Sequence, residues 1–325
     1  MGIKAAFLRA CKQGGVEVSF LLIRDAVVFA SLLTMLSTGL TLTYMTTKVP
    51  NFAHGDFAAI NIYLTLTLAK LFGVDPYLGM APAFLLGGII ALTLYTAILK
   101  PLLDKGANYI ILMIATIAYD MILLSIINIV ADYLSRVHKI TSRLFQLREW
   151  GYGIEIAGQP SIVIIAPLCA VIMVVSLYLF LNKTKFGIAM RAAIDNPSLA
   201  ETIGINVNLT YAASWFISGG LAGIAGTLAP LHMTCNTDTG VKLLVSIFAA
   251  SIVGGFTNIY GAFLGGFLIG LAEVLGTGYL AIGLGAWVVP YRPVIPLILM
   301  VLTLLFAPEG LTGVNWSKLF RRGAT

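Results

Sequence analysis

Charge is what this chain has least of. Only 10% of its 325 residues are Asp, Glu, Lys or Arg, where a soluble globular domain carries about 25%. So few charges cannot cover a water-facing surface of this size, which excludes a soluble fold. The same scarcity excludes disorder, because disordered chains are polar and charge-rich. Cysteine is scarce too. Cys11, Cys169 and Cys235 lie in a basic N-terminal segment, an apolar run and a polar loop. Their spacing fits neither a disulfide framework nor a metal site, and each reads as a free thiol. The 33 glycines have no three-residue period, so a collagen-like fold is out. No Walker A sequence, His-Glu-x-x-His pair or Gly-x-Ser-x-Gly elbow occurs. The chain therefore reads as neither ATPase nor hydrolase, and no catalytic, cofactor or metal residue is assigned.

What is present is apolar. Residues of the hydrophobic set make up 59% of the chain, and the mean hydropathy is +0.95. Uncharged runs such as 26–47 are far longer than the alternating strands, about ten residues each, of a membrane barrel. The fold class is an all-α polytopic membrane protein. A spanning helix needs about 20 apolar residues. Five stretches qualify: 26–47, 77–99, 107–131, 156–182 and 208–231. A sixth, 293–308, is shorter and is led by Pro293 and Pro296. Two further apolar regions are broken or re-entrant. The first, 49–73, opens Val-Pro-Asn-Phe-Ala-His-Gly-Asp; the second, 243–275, is interrupted by Gly-Gly-Phe-Thr-Asn-Ile-Tyr-Gly at 254–261.

The net charge of +6 reflects the Lys and Arg that collect in cytoplasmic loops, and does not call for nucleic acid. Basic clusters occur in 1–24 (Lys4, Arg9, Lys12, Arg24), at Lys100 and Lys105, in 183–206 (Lys183, Lys185, Arg191) and in the tail (Lys318, Arg321, Arg322). All four fall on the cytoplasmic side if each broken region returns to the side it left. The expected division is a cytoplasmic leader 1–25, a permease domain 26–313 and a cytoplasmic tail 314–325, with 276–292 as an external glycine-rich loop. The loop 132–155 must then be external. It resists the rule, because it carries Arg136, Lys139, Arg143 and Arg148 against Asp132, Glu149 and Glu155.

Intramembrane ionisable groups are few: Asp56, Lys70, Asp120 and Glu273. Each costs about 2.5–3.5 kcal/mol at a bilayer centre. Asp56 and Glu273 fit helix ends in the broken regions. Asp120 stands alone in mid-span, either as a hydrogen-bonded structural residue or in a functional role. The two broken regions also resemble each other: Asn51, Gly55, Phe57 in one and Asn258, Gly261, Phe263 in the other. Gly219-x-x-x-Gly223, Gly261-x-x-x-Gly265 and Gly266-x-x-x-Gly270 allow close backbone approach between helices. They serve packing within one subunit, or a seam or pore surface.

The most informative polar segment is 183–206. Asn196 can cap a helix with Pro197 at its first position. Glu201 falls inside it, and Gly204 can supply the left-handed residue beyond its end. This spacing predicts a helix over 197–203, too short to be stable unless it packs on something. The segment is either a solvated loop or a docking device for a peripheral protein. Backbone groups in the broken regions cannot face lipid, so they are buried in protein or line a wet cavity. Half-helix N-termini suit carboxylates and helix C-terminal carbonyls suit ammonium groups. That logic makes Asn51, His54, Gly55 and Asp56 one side of a translocation path, and Gly254, Gly255, Asn258 and Gly261 the other. The competing reading is that these glycines serve packing.

Three blocks carry a family resemblance: VPNFAHGDF at 49–57, FGIAMRAAIDNPSLAETIGINV at 186–207 and SIVGGFTNIYGAFLGGFLIGL at 251–271, with FAPEGLTG at 306–313. From about residue 26 to 313 the chain resembles the permeases of the branched-chain amino-acid ABC importers, and its Asn-Phe-Ala-His-Gly block resembles the first of their two paralogues. The charge distribution places both termini in the cytoplasm, and the resemblance implies a plasma-membrane protein paired with a paralogous permease as a heterodimer. It also implies two cytoplasmic ATP-binding subunits and an external substrate-binding protein. The 197–204 helix becomes the coupling helix, with Arg191, Asn196, Pro197, Ala200, Glu201 and Gly204 as its ATPase-coupling residues. Asp120 and the charged 132–155 loop depart from the family pattern and leave the solute open. An ion-coupled secondary transporter of small solutes is the alternative, disfavoured by the sparse intramembrane charge.

Overall fold

A computed structural model describes residues 2–147, 155–156 and 159–313, with side chains described for 20–147 and 159–313. The tail 314–325, and Arg148 and Glu149 of the charged loop, lie outside the described residues. The described chain is helical nearly throughout, because long uncharged runs in lipid must satisfy every backbone group within the segment. In order the helices are α1 Gly2–Thr47, α2 His54–Leu71, α3 Met80–Thr93, α4 Lys100–Asp104, α5 Tyr109–Val137, α6 Ile162–Lys183, α7 Lys185–Asp195, α8 Pro197–Thr202, α9 Val207–His232, α10 Thr239–Gly254, α11 Ile259–Leu284 and α12 Val294–Phe306. A π-helical turn, Leu94–Leu99, joins α3 to α4, and a 3-10 turn, Ala286–Tyr291, precedes α12. A two-residue hairpin pairs β1 Glu155–Ile156 with β2 Gln159–Pro160.

Among the described residues, six helical stretches are long and apolar enough to cross a membrane: Phe20–Thr47, Met80–Asp104, Tyr109–Val137, Ile162–Lys183, Val207–His232 and Ile259–Leu284. The number matches expectation, but one assignment does not. The 293–308 stretch forms only the 13 residues of α12, about 20 Å at 1.5 Å per residue, too short for a hydrocarbon core of about 30 Å. The sixth full span is α11, which runs on through 276–284, the start of the expected external loop. Glycine misled the reading there. Gly276 lies against the Ile295 side chain and Gly278 against Leu22, and in lipid such close packing keeps a glycine helical.

The direction of α1 is a second correction. Arg24 Nη1 donates to Gln159 Oε1 at 3.0 Å, just ahead of α6. At the same end Tyr63 donates to the Ser142 carbonyl (2.8 Å) and Tyr77 meets Ser161 (2.6 Å). At the other end of α1, the Tyr44 ring lies 4.4 Å from Phe256. That end also holds Asn182, bonded to Tyr260 at 2.9 Å, and the 183–206 loop. Arg24 and the loop are therefore at opposite ends of the bundle, not on one side. The cause is the first broken region: α2 crosses the bundle where a return was expected. The second does return, since α10 descends to the loop end and α11 climbs back. Thr312 bonds the Gly254 carbonyl at 2.9 Å, which puts residue 313 at the loop end. Helix α1 runs without interruption from Gly2, so no break in secondary structure marks residue 25.

Glycine sets the helix crossings. A Cβ on Gly219 of α9 would collide with the Gly87 carbonyl of α3, and the converse also holds. Gly223 abuts Ala83, Gly266 abuts Thr34 and Gly270 abuts Ala30, while Gly261 and Gly265 abut Gly254 and Ala250. All three small-residue motifs thus pack helices within one subunit. The charged loop is folded down at its middle. Arg143 pairs with Asp132 and accepts no lone role: it also donates to Asn128 Oδ1 at 2.9 Å. Phe145 and Cys235 exchange backbone hydrogen bonds of 3.0 and 2.8 Å, and burial raises the Cys235 thiol pKa above its ordinary value. Glu273 is not at a helix end but midway along α11. Arg292 Nε donates to it at 2.6 Å while the guanidinium lies 4.0 Å over the Phe29 ring.

Candidate coupling loop and translocation path

The 183–206 loop folds as two short helices. Thr184 caps α7, its hydroxyl accepting from Gly187 N at 3.0 Å. Asn196 caps α8, its Oδ1 accepting from Leu199 N at 3.1 Å, and Pro197 holds the first helical position. At the far end Gly204 is left-handed (φ 85°). Gly204 N bonds Glu201 O and Ile205 N bonds Ala200 O, both at 3.0 Å, the paired closure that satisfies a helix's last carbonyls. Asn206 then caps α9 through Leu209 N at 3.0 Å. Helix α8 is the one expected from the caps; α7 was not foreseen. Its signal was present, since Thr184 stands before an apolar spacing of Phe186, Ile188, Met190 and Ile194.

Inside the loop Ala200 is 2% exposed and packs with Ala193 of α7 and Val207 of α9. It belongs to the loop's own core and not to an outer face. The large apolar residues turned outward are Leu199 and Ile203, 59% and 69% exposed, which sequence reasoning passes over. Pro197 and Glu201 are exposed on the same short helix, and Arg191 is exposed on α7. Asn196→Ala should cost α8 about 1 kcal/mol, the usual worth of a side-chain cap. Its expected signature is faster amide exchange at Leu199 and Ala200 with the spans unaffected. Unchanged protection would dismiss the cap.

The first break is buried. Asn51, His54, Gly55 and Asp56 are each buried within the subunit. Asn51 Oδ1 accepts from Ala53 N at 3.1 Å, and His54 Nε2 meets the Leu36 carbonyl of α1 at 2.9 Å. Gly55 and Asp56 lie directly on Gly240 of α10, where no Cβ fits. Asp120 of α5 is a neighbour of Asp56, so the solitary mid-span acid faces a second carboxyl across the α2–α5 seam.

The second break is more open. Gly254 and Gly261 form the α10–α11 crossing. Gly255 (φ 107°) and Asn258 instead line a cleft of about 710 Å³ with Tyr44 and Phe256. Asn258 caps α11 by accepting from Tyr260 N at 2.9 Å. The first set is thus interior packing, and the second divides: Gly254 and Gly261 are packing, while Gly255 and Asn258 border open space. What joins the two breaks is aromatic. Phe52 lies 5.2 Å from Phe248, Phe248 lies 6.4 Å from Phe256, and Phe256 lies 4.4 Å from Tyr44. A Phe within each broken motif was the available clue.

A polytopic helical bundle with two interrupted membrane regions and a capped helical loop at one end has the architecture of a transport permease. Residues 22–304 match the family described as the permease component of branched-chain amino acid transport systems, and the chain belongs to that family. It is 46% identical over 301 residues to a probable branched-chain amino acid transport permease, LivH, of Methanocaldococcus jannaschii, covering 93% of this chain and 95% of that one. It is 28% identical to the high-affinity branched-chain amino acid permease BraD of Pseudomonas aeruginosa, over 86% and 91% of the two chains. Among solved structures it shares its fold with PsaBC from Streptococcus pneumoniae, in complex with Fab, at a TM-score of 0.53 and 15% identity, over 89% and 92% of the two chains. The chain is a multi-pass membrane permease of an ABC import system.

Proposed function

We propose that this permease carries branched-chain amino acids inward, driven by ATP hydrolysis on two separate cytoplasmic subunits docked at the α7–α8 loop. The observation that carries the reading is that loop: two capped helices around a small core, with Leu199 and Ile203 turned outward. The inner side of α8 is packed on α7 and α9, so the apolar pair left on its outer side supports a contact surface for a partner. Placing the loop in the cytoplasm puts residue 313 there also and the Arg24 end of α1 outside. A paralogous permease completes the path as a heterodimer, and an external binding protein delivers the solute. The permease names of the relatives support the amino-acid assignment, and the scarcity of intramembrane charge disfavours ion coupling.

The test is reconstitution. The chain is purified with its paralogue, ATPases and binding protein and placed in proteoliposomes. Leucine uptake should require ATP on the loop side and persist when ion gradients are collapsed. Uptake that follows an ion gradient without ATPase subunits would overturn the reading.

A further inference from the structure

A second cleft, of about 490 Å³, opens at the loop end between α7 and the start of α11. This lies within the usual range of small-ligand sites, about 300–1,000 Å³. Its apolar lining includes Leu181, Ile188 and Ile194 with Met45. The same lining carries one charge of each sign, Arg191 and Asp195, both on α7. Residues four apart on a helix are surface neighbours, about 5–6 Å between Cβ atoms. Yet among the described residues these two make no ion pair with each other. Arg191 Nη1 is turned instead to Asn182 Oδ1 at 2.9 Å, and Asn182 Nδ2 donates to the Tyr260 hydroxyl at 2.9 Å. The guanidinium is thereby held at the cleft edge, with further donors free for a planar carboxylate.

We propose that this cleft is a binding site for a free α-amino acid with a branched apolar side chain. The carboxylate meets Arg191, the ammonium meets Asp195, and the side chain lies against Leu181, Ile188 and Ile194. The cleft joins the loop helix to residues 257–260 of the second break, so an occupant braces the two against each other. With the loop in the cytoplasm, the site samples the product side. This choice of ligand rests on the amino-acid reading above.

The test is direct binding of tritiated leucine to the full-length purified chain in nanodiscs. Saturable binding in the millimolar range or tighter is expected. Isoamylamine, which lacks the carboxylate, and 4-methylpentanoate, which lacks the amine, should compete at least tenfold more weakly. Ile188→Trp, which fills the cleft, and Asp195→Asn should each weaken binding about tenfold or more while the size-exclusion profile stays that of the parent. Absence of saturable binding, or binding untouched by both substitutions, overturns the site. Leucine uptake by the reconstituted importer is scored separately. Uptake without cleft binding overturns the site and leaves the transport reading standing; cleft binding without uptake does the reverse.

Discussion

Leu199→Asp combined with Ile203→Asp is expected to reduce ATP-driven uptake about a hundredfold or more while leaving the membrane bundle intact. Both side chains are exposed in the free subunit, so the change costs the isolated fold little. Docked against a partner, each would bury apolar surface worth about 1.5–3 kcal/mol. The two together supply about 3–6 kcal/mol of association, and each factor of ten in affinity is about 1.4 kcal/mol. Buried carboxylates would add a desolvation penalty. The measurement is co-purification of the ATPase subunits, with uptake in the same proteoliposomes. Full recruitment and parental uptake by the double variant would sink the docking face. Ala200→Asp, at a residue the family resemblance names for coupling, is the weaker test. It drives a carboxylate into the contact with Ala193 and Val207, so lost transport there would report a collapsed loop as readily as a lost partner.

The contrast between Ala200 and its neighbours marks what the sequence made legible. Caps are local chemistry: Asn196, Pro197 and Gly204 define α8 without knowledge of any distant residue, and the structure places each as expected. Which face of α8 looks inward depends on α7 and α9, so Ala200 was read as a contact and Leu199 was missed. The same division runs through the spans. Their existence follows from uncharged length. Their direction depends on whether a broken region crosses or returns, and Val49 to Asp56 gives no local sign that α2 crosses. For that reason the positive-charge rule cannot hold for both Arg24 and the 183–206 cluster; the Arg24 guanidinium is held by Asp25 and Gln159 at the end opposite the loop. The path residues divide likewise. Gly254 and Gly255 are adjacent and identical in type, yet one is locked in a helix crossing and the other lines a cleft.

The second large effect concerns the α3–α9 crossing. Gly87→Ala is expected to cost about 3 kcal/mol, the upper end of ordinary overpacking. The added Cβ would meet the Gly219 carbonyl, which belongs to backbone and cannot rotate away. Gly219→Ala meets the Gly87 carbonyl and the Ala91 Cβ, and should cost as much. Both force the same response, a separation of the two helices. The double variant should therefore cost clearly less than the sum, because contacting sites couple and a single displacement relieves both. Gly283→Ala is the control, since nothing lies within 4 Å of its added Cβ. Helix propensity there favours alanine by about 0.5–1 kcal/mol. Thermal unfolding of the detergent-solubilised protein reads all four. Gly87→Ala and Gly219→Ala should each lower the midpoint by several degrees, and Gly283→Ala should hold or raise it. A double variant that falls by the full sum would mean that two independent clashes exist, and that no common axis separation governs the crossing. Single variants that melt with the parent would mean the helices stand further apart than backbone contact at these glycines requires.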